Sequence, residues 1–410
     1  EDLGADFYRQ AVERWSPEPN IISRIGRLPE ATPDVIHSVV RGLLTEPERY
    51  GDLINQVMKN PHTSADSLRM AVDSYHLDPS DWGARSSPSD VVANHPNFGA
   101  LDPTWIQNHL RNSYDSRMGF NQGDFASRVA SAHPEVITPE LLSERLEGGS
   151  KDGGPDLTHS LIVAEKHHGV KAPALTPDNL MAAVKTPGAD KEYIKSALGH
   201  PNMPPDFVDD IVNPDGGGFD KHFQNERVHG MRVRDAVINS PELHHLVKPE
   251  TVRKLMVKSD FNWGHMFLQG PHGSPELLDA SMSRMPGVFH PLRWALENNS
   301  PHVQPRHLQE VLDGADWDRE AKKAAFRHPS LPAEDLWNRV RSGVLPMEGE
   351  PPESYGARAS LMAHAISGGR LTLAQLHELE GLNSQQPKIR AAVADQLRQQ
   401  DPDAGFREKV

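Results

Sequence analysis

The chain has 410 residues, a formal net charge of −14 and no cysteine. Without cysteine there are no disulfides, thiolate zinc sites, iron–sulfur clusters or Cys nucleophile, and the acidic balance disfavours a surface built as a whole to bind phosphates or anionic lipid. Hydrophobic residues are 37% and mean hydropathy is −0.59. That is lean for a large globule and suits a thin two-layer array with a narrow core. No apolar run approaches the roughly 18 residues of a membrane span. No secretory signal is visible, and a start at Glu1 rather than Met points to a chain processed or excised from a longer polypeptide.

In chain order, residues 1–26 read as a lead-in helix, a cut or capping unit. From residue 27 to 395 a two-helix unit recurs. Its second helix is predicted to start at Pro33, Ala65, Pro103, Pro139, Pro177, Pro205, Pro249, Pro275, Pro305, Ala333 and Leu373. These eleven anchors span 340 positions, a mean period of about 34 residues. Proline suits the first helical position, where its missing N–H has no intrahelical partner to lose. The residue before the anchor is a capping type at Thr32, Ser64, Asp102, Thr138, Thr176, Ser274 and Thr372. The residue after it is acidic in eight units, for example Asp34, Glu140 and Glu334, placing a carboxylate at the positive end of the helix dipole.

Three residues past the anchor stands an apolar side chain in every unit: Ile36, Leu68, Ile106, Leu142, Leu180, Val208, Val252, Leu278, Leu308, Leu336 and Leu376. Seven past it the pattern holds in all but the last unit, where Glu380 stands beside Leu379. A spacing of four on a helix makes one apolar stripe. The unit's first helix ends at a proline, as in "VMKNP" at Pro61, "ALGHP" at Pro201 and "AFRHP" at Pro329. One proline therefore stops the first helix and the next starts the second. A single apolar residue in the link, such as Val136, Met203, Val303 or Leu331, is expected to plug the corner.

The string His-Pro-Asn-x-Pro-Pro-Asp-x-Val, beginning at His200, resembles the variant leucine-rich repeat, whose signature is an Asn-Pro-Asn-Thr-Pro corner leading into a helix. The array is also similar to HEAT-like α-solenoids. His or Ser often replaces the first Asn, and the units are longer and uneven. The resemblance implies an all-α fold, a right-handed α-solenoid of about eleven degenerate two-helix repeats. Glycine-rich or proline-rich insertions are expected near 147–156, 213–220 and 345–356, and residues 396–410 read as a polar tail.

Searches for chemistry return little. There are 22 histidines. Of these, His95, His133, His200 and His328 stand directly before a corner proline. Their expected role is to bond the last carbonyls of the helix they end. His167 and His168 are adjacent, as are His244 and His245, so neither pair shares a helix face. No HExxH, Walker A, Rossmann glycine fingerprint or GxSxG occurs. Asp215 and Asp220 lack the ligand alternation of an EF-hand. No catalytic, cofactor or metal residue is nominated.

The stretch 221–258 breaks the acidic trend, with eight Lys or Arg against four Asp or Glu. Arg232, Arg234, Arg253 and Lys254 are its candidate anion or partner surface. Arg232 and Arg234 converge only if a helix starts between them, near Gly230. The reading is a non-catalytic helical-repeat scaffold for protein partners, part of a larger polypeptide or assembly such as a virion. The alternatives are a nucleic-acid-binding repeat using 221–258 and an enzyme domain with an inter-repeat pocket.

Overall fold

The computed structural model describes residues 10–11, 14, 18–77, 87–112, 125–147, 154–215, 218–258, 263–287, 290–382 and 384–401. Among these residues the chain is all-helical, with more than twenty helices and no strand. It divides into two compact units. One comprises residues 1–211 and 218–236, the other 212–217 and 237–410.

Every anchor read from the sequence is the first residue of a helix: Pro33–Leu43, Ala65–Leu77, Pro103–Asn112, Pro139–Glu147, Pro177–Lys185, Pro205–Val212, Pro249–Val257, Pro275–Ser281, Pro305–Asp313, Ala333–Gly343 and Leu373–Gly381. The caps act as their chemistry suggests. Ser64, Asp102, Thr138, Thr176, Ser274 and Thr372 each accept a backbone N–H from the first turn. Thr32 does not; its hydroxyl is buried without a hydrogen-bond partner.

Burial follows the stripe. All eleven side chains at anchor plus three are buried. At anchor plus seven, Met282 and Leu312 are only half-buried. There the preceding residue, Ser281 or Val311, turns inward instead. The last unit does the same with Leu379. This one-residue drift is what 3.6 residues per turn produces when a stripe is read at a fixed spacing.

In the first unit, first helices pack on first helices. Pro47–Met58 lies against Pro19–Gly26 and Ser89–Ala93, and Phe125–Ala132 against Ser89–Ala93 and Gly154–His168. Second helices pack likewise, Pro33–Leu43 on Ala65–Leu77 and Pro139–Glu147 on Pro177–Lys185. The second unit repeats the first-helix row through Pro291–Glu297, Arg319–Arg327, Pro352–Ser367 and Pro387–Gln400. Each helix therefore buries its stripe against its pair mate and its serial neighbours, which is how short amphipathic helices share a core too thin for any of them alone.

Several local expectations change. The corner plug near residue 136 is Ile137, fully buried, and Val136 is half-exposed. Pro241–Leu246 and Gly264–Gln269 are 3-10 segments. At Gly264 an added Cβ would stand 2.9 Å from the Leu255 carbonyl oxygen, so the segment approaches its neighbour more closely than any side chain permits. Of the insertions, 148–153 lies outside the described residues, and Gly154 opens the helix Gly154–His168. Around 213–220, residues 216–217 lie outside them, and Gly218 opens Gly218–Phe223. The last helix, Pro387–Gln400, buries Gln396 and Leu397, so the polar tail expected from 396 starts after Gln400.

Candidate functional site

The basic stretch is built differently from its expectation. Arg227–Ile238 is one helix running straight through Gly230, so no helix begins between Arg232 and Arg234. Two positions apart on one helix, they diverge by about 200°. Arg232 is exposed. Arg234 is half-buried with its guanidinium 4.8 Å from the centre of the Phe219 ring, and burial lowers its pKa. Gly230 serves a packing purpose: a Cβ there would stand 2.6 Å from Phe223 Cγ.

In the second unit, Arg253 and Lys254 are exposed on Pro249–Val257, flanking buried Val252 and Leu255. Lys254 Nζ stands 3.1 Å from Asp215 Oδ2, and Lys258 pairs with the other oxygen of the same carboxylate. The two lysines hold the Asp215 carboxyl below its ordinary pKa. Two of the lysines that make the stretch basic are thus engaged by one local acid, which offsets one of their charges.

The corner histidines form a recurring device. His95, His200 and His328, at the ends of first helices, and His290, which caps the start of the first helix Pro291–Glu297, each precede a proline, which has no N–H to give. The next backbone N–H, two residues on, donates to Nδ1: from Asn97 at 3.1 Å, Asn202 at 3.1 Å, Leu292 at 3.1 Å and Ser330 at 3.2 Å. A ring nitrogen that accepts is unprotonated, so the neutral ring carries its proton on Nε2. That N–H points away from the corner. In His95 it meets the Asn60 carbonyl at 3.0 Å, in His290 the Ser281 carbonyl at 3.0 Å, and in His200 the Glu165 carboxylate at 2.7 Å. His133 reaches the Ala93 carbonyl at 2.9 Å and stacks on Phe98.

These partners correct the expected role. His95 and His133 do not cap the helix they end. They bond backbone 35 and 40 residues earlier, one unit back. Asn60 performs the same task with an amide: its Oδ1 accepts the His62 N–H at 3.0 Å, and its Nδ2 donates to the Gly26 and Leu28 carbonyls. Second-position asparagines add to it. Asn97 Nδ2 donates to the Pro61 and Thr63 carbonyls, and Asn202 Nδ2 to that of Leu175. Arg370 substitutes at the C-terminal end, bonding the His328 and Leu331 carbonyls.

Burial tunes these rings. It lowers the pKa of His244 and His328, and drives that of His290 down to about 4, with the Arg284 charge adding to the effect. Of the adjacent pairs, His244 is fully buried and His245 exposed, while His167 and His168 are both exposed.

Among the described residues no three His, Asp or Glu side chains gather into a metal-binding group, and no helix is long and apolar enough to cross a membrane. The concave surface of the described residues includes open grooves. One lies along the second helices Pro139–Glu147 and Pro177–Lys185, lined by Glu140, Ser143, Glu144, Asp178 and Asn179. Glu144 there pairs with Arg111 of the previous second helix at 3.2 Å.

No family model matches the chain, and no curated protein matches it. Among solved structures, the crystal structure of an engineered protein is similar at 14% identity, covering 94% of this chain and 95% of that one, with a TM-score of 0.24. A score that low does not equate the two architectures.

Proposed function

We propose that the chain is a non-catalytic α-solenoid scaffold, right-handed, of about eleven degenerate repeats resembling the variant leucine-rich and HEAT-like classes, and that it binds protein partners along its second-helix row. One observation carries the reading. At the corners of Asn60, His95, His200 and His328 the same kind of side-chain acceptor holds the backbone N–H two residues on, and Asn60, His95 and Asn202 also reach backbone carbonyls one unit back, so these polar groups join successive units. Histidine in the first corner position does the work of asparagine, which supports the resemblance. What the second helices leave exposed, such as Asp66, Thr104, Glu144, Asp178 and Arg306, is polar and mixed in charge. An extended row of that kind suits protein recognition.

The test is zero-length carbodiimide cross-linking of the full chain in its native extract, with the linked peptides mapped by mass spectrometry. The scaffold reading expects Glu144 and Asp178 to link to lysines of one recurrent protein. Links confined to the chain itself would overturn it.

A further inference from the structure

The connection between Ala333–Gly343 and Pro352–Ser367 is longer than a helix corner needs, yet it is fixed at every step. The Met347 carbonyl accepts the Glu350 N–H at 3.1 Å, closing a turn in which Gly349 takes φ +76°. That angle at the third position of a turn favours glycine. The Glu350 carboxylate, 9% exposed, accepts the Met347 N–H at 3.1 Å and pairs with Arg358. Arg358 also donates to the Gly343 and Leu345 carbonyls at 2.8 and 3.0 Å. Tyr355 Oη donates to the Val344 carbonyl at 2.7 Å.

What this bracing holds up is apolar. Met347 is 59% exposed and Leu345 39% exposed. Met347 keeps most of its surface in solvent while Leu345 is more than half covered, so the ordering of the tip at Met347 is not repaid by packing there. Ordering in advance does lower the entropic cost of a later association. Glu348 and Glu353 flank the tip, exposed and in no ion pair among the described residues. The tip is therefore a braced apolar knuckle with a negative rim.

We propose that residues 345–348 are a preformed docking knuckle, and that its occupant is a protein surface bearing an apolar pocket edged by lysine or arginine. Met347 fills the pocket, and Glu348 faces the basic edge. Arg358 and Glu350 are positioning residues that keep the knuckle in its bound shape. The inference rests on the scaffold reading and locates one contact of it.

The experiment places p-benzoylphenylalanine at position 347 of the full chain, and in a separate sample at Ser143 on the second-helix row, in native extract under ultraviolet light. The expected result is a linked partner peptide from 347 that carries apolar residues and at least two Lys or Arg beside the attachment point. With the probe moved to 345, Glu348→Lys should lower the yield about tenfold, while helical circular dichroism stays unchanged. Links from 347 to a second copy of this chain, to lipid or to an acidic peptide would overturn the proposal. A partner linked from 143 with none from 347 sinks the knuckle alone. No partner from either position sinks the scaffold reading with it.

Discussion

His95 Nε2 stands 3.0 Å from the carbonyl oxygen of Asn60, the residue that occupies the equivalent corner one unit earlier. Asn60 in turn bonds backward to the Gly26 and Leu28 carbonyls. The Asn60 corner is thus held by its own proline-directed turn and by the His95 side chain that follows it one unit on. Both residues are buried, so removing either leaves polar backbone unpaired, which costs more than the bond itself contributes.

Because asparagine and histidine perform one task, His95→Asn should be tolerated better than His95→Leu. The leucine variant loses the Nδ1 acceptor and the Nε2 donor together, and should lose about 2–4 kcal/mol as two buried backbone groups go unsatisfied. The asparagine variant should retain the acceptor and recover part of that loss. Urea unfolding of the three proteins measures the order. Equal losses for both variants would show that ring packing, not hydrogen bonding, sets the requirement.

Acid should act on the histidine that caps the first helix Pro291–Glu297. The folded-state pKa of His290 lies near 4, below the ordinary value of about 6.5. A depressed basic group contributes stability that is fully present above pH 6.5 and is lost as pH falls from there toward 4. Over that window its contribution is on the order of 3 kcal/mol. His244 and His328 shift in the same direction. The Arg284 charge opposes protonation at His290, and from the next unit the Trp317 ring packs edge-on against it. Stability measured from pH 7.5 to 4 should fall through this range, with a shallower slope in His290→Gln. Identical slopes would remove His290 from the explanation.

Gly230 offers a test in which two effects oppose each other. Alanine in a helix interior gains about 1 kcal/mol over glycine. Here its Cβ would stand 2.6 and 2.7 Å from Phe223 Cγ and Cβ, and 2.9 Å from the Phe219 ring. Phe223 is buried and has little room to yield, and overpacking of that kind costs about 1–3 kcal/mol. Gly230→Ala should therefore be neutral to destabilising in thermal unfolding. A gain near 1 kcal/mol would show that the aromatic pair moves aside freely.

The parts legible in the sequence were local ones. A proline anchor, a capping hydroxyl and an apolar residue three positions on act within one helical turn, and all eleven anchors begin helices. The histidines were visible as a slot but not as a device, because the partner of His95 lies 35 residues away and only stacking brings it near. In the sequence Gly230 left room for a helix start, because glycine is a poor residue for a helix interior. Its packing against Phe223 depends on another helix, Gly218–Phe223. The basic stretch was legible as a count of charges. The count does not show that Lys254 and Lys258 share Asp215, or that Arg234 lies over Phe219.

That last arrangement decides what the stretch should do with nucleic acid. Non-specific duplex binding draws on phosphate contacts by free cations, with dissociation constants of about 10⁻⁴ to 10⁻⁶ M at physiological salt. In the second unit Lys254 and Lys258 share one carboxylate, which offsets one of their two charges and holds both ammonium groups, so that Arg253 is the cation on that helix not drawn to Asp215. The chain as a whole is acidic, so its long-range field repels a polyanion. Fluorescence anisotropy with duplex and single-stranded DNA and RNA at low salt should therefore show no saturable micromolar binding. Asp215→Asn, which frees both lysines, should raise residual binding, and Arg253→Glu with Lys254→Glu should lower it further. Micromolar binding by the unmodified chain, weakening steeply with salt and lost in the double glutamate variant, would replace the scaffold reading with a nucleic-acid one.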